Sequence, residues 1–373
     1  MTGPALLATR GLDRRSFLAF CGTMAATLAL PDSYAPAIAR ALRAAKRPVL
    51  VWLEFQDCAG CTESFLRASN PSVGGLVLDT LSINYHETLM AASGKDAEAL
   101  LKRTVGNERG EYIAVVEGSI PTKDDGYCTI GGRSALDIAG EVCGNAAAVV
   151  TVGACAFYGG WQSSTPNPTG AVGLSGALPG TKLVHLPGCP PNGVNITATL
   201  VHFLTFGTMP ETDTLGRPLF AYGELIHDSC ERRAHFDAGE FVETWGDEAH
   251  RKGWCLYNMG CKGPETHHNC ASLRWNDGTN WPIGAGHGCI GCSEPGFFEA
   301  DSPFYARLPT VPGFGVQTTA DEIGVGIVAV TGAVFAAHAV ISIVRDRLRP
   351  EPANVPPAKQ PPAQEAPSDP HSH

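Results

Sequence analysis

The spacing of 13 cysteines, most of them in short clusters, constrains this 373-residue chain more than any other feature. Thiols placed this way must form disulfides, hold metal or carry redox chemistry, and each option dictates a different fold. The length admits two ordinary domains with well-buried cores, and 43 glycines with 28 prolines imply many turns and loops. A formal net charge of -10, with no long basic block in the body, argues against a phosphate-backbone partner. No nucleic acid is therefore expected.

The two ends set the compartment. Residues 10–30 read RGLDRRSFLAFCGTMAATLAL, in which the Arg14-Arg15 pair precedes a short apolar run, and Ala37-Ile38-Ala39 follows as a candidate cleavage site. Residues 1–45 read as a twin-arginine signal peptide; a basic helix start is the plainer alternative. That export route carries folded proteins that already hold their cofactors, which favours metal clusters over disulfides. Near the other end, Ile323–Val344 gives 22 residues without Asp, Glu, Lys or Arg. That is close to the ~20 residues needed to span a bilayer as a helix. Asp321 and Glu322 precede the run and Arg345, Arg347 and Arg349 follow it, which with an exported body satisfies the positive-inside rule. A transmembrane anchor is expected over residues 320–346, against the alternative of an Ala- and Gly-rich core helix. His338, its one ionisable residue, should face a membrane subunit or its haem, or a neighbouring helix. The Pro-rich residues 347–373 cannot bury a core and are expected to be disordered.

In the first half, Val49 to Phe55 reads as a buried strand that runs into Asp57-Cys58-Ala59-Gly60-Cys61. Further strands are expected over Tyr112 to Glu117, Ala148 to Gly153 and Lys182 to Leu186, with room for helices between them. The alternation predicts an α/β fold built on a doubly wound parallel sheet. The third and fourth of these strands also finish in cysteine, at Cys155 and Cys189. Ligands in such sheets bind beyond the carboxyl ends of the strands, so Cys58, Cys61, Cys155 and Cys189 are expected to converge there. Four thiolates suit a 4Fe-4S cluster; a tetrahedral zinc site is the runner-up. Glu117, near a strand end, either tunes that site or is a solvated turn carboxylate.

From residue 227 the pattern becomes His227-x2-Cys230, Cys255-x5-Cys261, Cys270 and Cys289-x2-Cys292. This run is dense in Gly, Trp and Cys, and it looks folded around inorganic clusters more than around a large apolar core. One histidine with three cysteines would make a second 4Fe-4S site, leaving three cysteines for a 3Fe-4S cluster. Spacing alone does not fix that grouping.

The segments DCAGCTESF, EGSIPTKDDGYCTIGGR, VGACAFYGG, TPNPTG, LPGCPPN, IHDSCERRAHFDAGEF, KGWCLYNMGCKGP and GHGCIGCSEPGF together resemble the small subunits of membrane-bound, uptake-type nickel-iron hydrogenases. The likeness runs from roughly residue 48 to residue 305, with further similarity in the signal and anchor. It implies a flavodoxin-like domain over residues 46–210 and a loop-rich cluster domain over residues 211–310. It also implies a proximal 4Fe-4S cluster on Cys58, Cys61, Cys155 and Cys189; a medial 3Fe-4S cluster on Cys270, Cys289 and Cys292; and a distal 4Fe-4S cluster on His227, Cys230, Cys255 and Cys261. The histidine would be a neutral, partly exposed ligand at the electron exit.

On this resemblance the chain binds no substrate and has no catalytic residue. It would relay electrons from H2 oxidised at the nickel-iron site of a large-subunit partner to a membrane acceptor, a cytochrome b or similar, with its body on the periplasmic or outer side. Cys21 would leave with the signal, and Cys128 and Cys143 would be small buried residues. Oxygen-tolerant relatives carry two extra cysteines where this chain has Gly60 and Gly160, which implies an ordinary proximal cluster and less protection from oxygen. Two other readings compete: an exported structural protein with six disulfides or zinc sites, and the iron-sulfur subunit of another membrane oxidoreductase. The His-x-x-Cys pairing and the segment GHGCIGCSEPGF favour hydrogenase over both.

Overall fold

The computed structural model describes residues 14–43, 48–68, 81–299, 305–308 and 320–347. Five parallel strands form its central sheet: β1 (Val49–Glu54), β2 (Ser82–His86), β3 (Ile113–Glu117), β4 (Ala148–Val152) and β5 (Leu183–Leu186). Their spatial order is 2-1-3-4-5, with β1 paired to β2 and β3, β3 to β4, and β4 to β5, all parallel. Every residue of β1 and β3 is buried, as expected of interior strands covered on both faces. Four of the five strands lie where the apolar runs place them. The fifth, β2, was not expected, because its sequence Ser-Ile-Asn-Tyr-His is an edge strand with three half-buried positions and no apolar run.

Alternate residues along a strand face opposite sides, and the core divides accordingly. Leu50, Trp52, Ile113, Val115, Val150 and Val152 pack on one face with α3 (Gly60–Leu66) and α7 (Gly193–Phe206). Val51, Leu53, Ala114 and Val116 pack on the other with α4 (Gly94–Asn107) and α5 (Ala135–Gly144). The first layer also takes in the N-terminal segment. Helices α1 (Arg14–Thr27) and α2 (Ala35–Leu42) pack against α7, burying Phe20, Met24, Leu28 and Ile38. Ala37-Ile38-Ala39 therefore lies inside a helix, with Ile38 fully buried.

After α7 the chain changes character. Residues 207–299 hold only short helical turns and isolated bridges, and their apolar cluster counts Cys261, Cys270 and Cys289 among its members beside Ile226, Val242, Leu256, Trp281 and Ile283. Residues 318–373 form a second unit, whose described residues make one helix, α8 (Ala320–Arg347). It is long and apolar enough to cross a membrane, and its described side chains from Val325 onward are exposed, His338 included. The expected disordered tail, apart from Arg347, falls outside the described residues.

Candidate metal centres

The first site is assembled at the carboxyl ends of β1, β3, β4 and β5. Cys58 lies in the turn after β1, Cys61 in the first turn of α3, Cys155 in α6 (Gly153–Tyr158) directly after β4, and Cys189 after β5. Close approach is built into the backbone: Gly153 has φ +90°, and a Cβ there would lie 2.5 Å from the Cys61 sulfur. Gly160 has φ +63°, and a Cβ there would fall against the sulfur of Cys155. Cys58 and Cys189 are exposed, whereas Cys61 and Cys155 are half-buried.

Electrostatics tie the four thiols together. Burial pushes the Cys61 thiol well above its ordinary value, and Glu117, Cys155, Cys189 and Cys58 push it further. Cys155 is raised to about 12, by burial and then by Cys189 and Cys58. Four crowded thiols ionise together only if a cation compensates their charge, which is the demand that an iron-sulfur cluster or zinc meets.

Glu117 closes the site from behind, and it is not the solvated turn carboxylate that was one of two expectations. It is 1% exposed. It accepts hydrogen bonds from the N–H of Cys61 (2.9 Å), the N–H of Thr62 (3.1 Å), the Thr62 hydroxyl (2.6 Å) and the Trp52 indole (3.1 Å). A buried carboxylate survives only with such a donor set. Asp57 stands beside it, raised to about 7 by burial and then by Glu117 and Glu54.

The second-half ligands fall into two groups. His227, Cys230, Cys255 and Cys261 line one small pocket. Cys270, Cys289 and Cys292 line another, a cavity of about 260 Å³ that Cys189 and His268 also border. The groups adjoin, since the N–H of Cys289 donates to the Cys261 sulfur at 3.3 Å. Burial dominates here too, raising Cys255, Cys261 and Cys289 to about 12. His227 was expected to be partly exposed and is not: the turn Ile226–Ser229 and the edge-on ring of Phe236 at 4.6 Å leave it 8% exposed. Burial and then Arg233 lower its pKa, which keeps the ring neutral.

Sequence reasoning missed the neighbours of these thiols. His268 is buried with Nδ1 3.0 Å from the Cys270 sulfur, and burial, then Arg217, lowers its pKa to about 4. The Thr266 hydroxyl stands 3.6 Å from the Cys289 sulfur. The His267-His268 pair shortly before Cys270 was the available signal for the first; nothing local marks the second. All 13 cysteines are free thiols. Cys143 is buried in α5, Cys128 is half-buried, and neither lines a described thiol pocket.

Comparison with known proteins follows this division. Residues 222–305 match the family model for the C-terminal part of the NiFe/NiFeSe hydrogenase small subunit, and residues 58–203 match that of the NADH ubiquinone oxidoreductase 20 Kd subunit. The chain is 47% identical over 337 residues to an uptake hydrogenase small subunit of Azotobacter vinelandii, covering 90% of this chain and 94% of that one. It is 44% identical over 352 residues to the quinone-reactive Ni/Fe-hydrogenase small chain of Wolinella succinogenes, covering 92% and 99% respectively. Among solved structures, a reduced, active nickel-iron-selenium hydrogenase from Desulfomicrobium baculatum superposes with a TM-score of 0.66 at 34% identity, covering 70% of this chain and 100% of that one.

Proposed function

This chain belongs to the small subunits of nickel-iron hydrogenases, the electron-transfer part of an oxidoreductase complex, and we propose that it holds three iron-sulfur clusters in a line. The proximal 4Fe-4S cluster takes Cys58, Cys61, Cys155 and Cys189; the medial 3Fe-4S cluster takes Cys270, Cys289 and Cys292; the distal 4Fe-4S cluster takes His227, Cys230, Cys255 and Cys261. The observation that carries this reading is the meeting of four thiols at the ends of three strands, β1, β4 and β5, over glycines whose Cβ would collide with the sulfurs of Cys61 and Cys155. Bound clusters supply one-electron redox chemistry at potentials set by charge, hydrogen bonds and exposure.

The chain's own residues do the rest. Glu117 fixes the backbone of Cys61 and Thr62 at the proximal site. Cys189 and Cys292 border one cavity, so a proximal and a medial ligand adjoin. Burial of Cys261 and Cys289 keeps water from the inner ligands. Exposed Cys58 and Cys189, at the mouth of the proximal site, call for a cover, and the large subunit with its nickel-iron centre is the partner we assign to that face.

We read the sheet's wrapping as flavodoxin-like, on its 2-1-3-4-5 strand order. We read residues 1–45 as a twin-arginine signal and α8 as a single-pass anchor, with the body on the periplasmic side. The acceptor is then a membrane subunit, a cytochrome b or similar, that feeds quinone; the name of the Wolinella relative supports that choice. Gly60 and Gly160 beside the proximal thiols predict an ordinary 4Fe-4S site and less protection from oxygen than relatives with cysteines at those positions have.

Iron, sulfide and zinc analysis with EPR on the anaerobically purified, membrane-extracted complex tests the reading. About eleven irons in this chain with an oxidised 3Fe-4S signal are expected. Zinc in place of iron, or a complex that keeps oxidising H2 in air, overturns the corresponding part.

A further inference from the structure

Arg217 is 3% exposed and belongs to none of the ligand sets. Its Nε donates to Asp213 Oδ2 at 2.7 Å, and its Nη1 donates to Glu294 Oε1 at 2.9 Å and to the carbonyl of Ser293 at 3.2 Å. The guanidinium also lies 5.8 Å from the ring centre of Tyr222. The same Glu294 Oε1 accepts the N–H of His267 at 2.7 Å. One carboxylate oxygen thus joins the segment just after Cys292 to the segment just before Cys270, and the guanidinium holds that oxygen.

On its other side the guanidinium is fixed to the sheet. Asp213 Oδ1 accepts the N–H of Arg217, closing a turn. The N–H of His185 in β5 donates to Gly216 O at 2.9 Å, and the Tyr222 hydroxyl donates to Pro187 O at 2.7 Å. Strand β5 leads directly to Cys189. Arg217 therefore connects the strand that delivers a first-site thiol to the two loops that deliver Cys270 and Cys292.

We propose that Arg217 is a positioning residue for the medial ligand set: through Glu294 and Ser293 it fixes Cys270 and Cys292 against the sheet, and its buried positive charge raises the medial potential. The proposal rests on the three-cluster reading above. A positive charge held close to a redox centre favours the added electron, and its removal beside Asp213 and Glu294 disfavours it.

Redox titration of the purified complex, followed by EPR, tests this. In Arg217→Gln the oxidised-to-reduced ratio of the 3Fe-4S signal at a fixed potential should rise about tenfold, equivalent to about 59 mV for a one-electron couple, with both 4Fe-4S signals at wild-type ratios. Arg217→Lys keeps the charge but not the planar fork, so it should restore most of the ratio. Glu294→Gln removes a negative charge and should shift the ratio the opposite way. An unchanged 3Fe-4S ratio in a fully loaded Arg217→Gln complex overturns the proposal, as does an equal shift in all three clusters. If Arg217→Gln does not load, Glu294→Gln decides: a shift toward the reduced form supports the assignment and an unchanged ratio overturns it. A wild-type complex without any 3Fe-4S signal defeats the three-cluster reading itself.

Discussion

The sheet region and the ligand-rich region that follows it solve the same problem by different means. Around β1, β3 and β4, apolar side chains bury one another in two layers, and the four first-site thiols stand at the strand ends, where Cys61 packs against the edge of the first layer. In residues 222–299 the thiols are themselves core: Cys261, Cys270 and Cys289 lie buried among Ile226, Leu256, Trp281 and Ile283. The first region has two apolar layers to fold on, whereas the second counts thiols among its buried core, so metal binding is expected to supply part of the second region's folding energy.

Iron depletion should separate the two regions most sharply. When the complex is prepared under iron limitation, amides of residues 222–299 should lose hydrogen-exchange protection by orders of magnitude while those of β1, β3 and β4 keep theirs. Equal loss in both regions would remove the distinction. Trp52→Ala attacks the sheet instead. It empties a fully buried site against Phe65 and His86 and should cost about 3–5 kcal/mol in denaturant unfolding of the sheet region, with the far ligand sets still loaded.

Glu117→Gln probes where the two strategies meet. The shape is retained, but a charged acceptor of four donors becomes a neutral amide, at a cost of about 1.5–3 kcal/mol. Iron loss confined to the proximal set is expected, read by EPR; uniform loss would show that the carboxylate serves the sheet alone. Arg67→Ala sets the lower end of the scale. Its pairing with Glu63 on α3 joins two side chains 64% and 59% exposed, and losing it should change stability by no more than about 0.5 kcal/mol.

Much of the sheet was legible because a strand buried on both faces has to be apolar along its whole length, and Val49–Glu54 and Ile113–Glu117 are nearly so, each closing on a single Glu. β2 was not, since an edge strand needs only one covered side and can be written with Ser, Asn and His. The convergence of Cys58, Cys61, Cys155 and Cys189 at strand ends followed from the parallel topology. The division of the later ligands into two pockets did not follow from spacing, because no regular element relates Cys261 to Cys289. The N-terminal segment was legible as a short apolar run, but nothing in the run announced that its helix would lie against α7.

What the sequence determined by itself is the chemistry: which residues can bind metal, how many there are, and which of them must meet where parallel strands end. Thiol number and strand periodicity are local properties, and local properties can be read directly. What only the tertiary structure decided is the surroundings of those residues. Glu117 is buried under four donors, His227 is shielded by Phe236, and Arg217 bridges β5 to two distant loops. Burial and long-range hydrogen bonding depend on segments separated by tens of residues in the chain, and a charged side chain carries no local mark of whether the fold will enclose it.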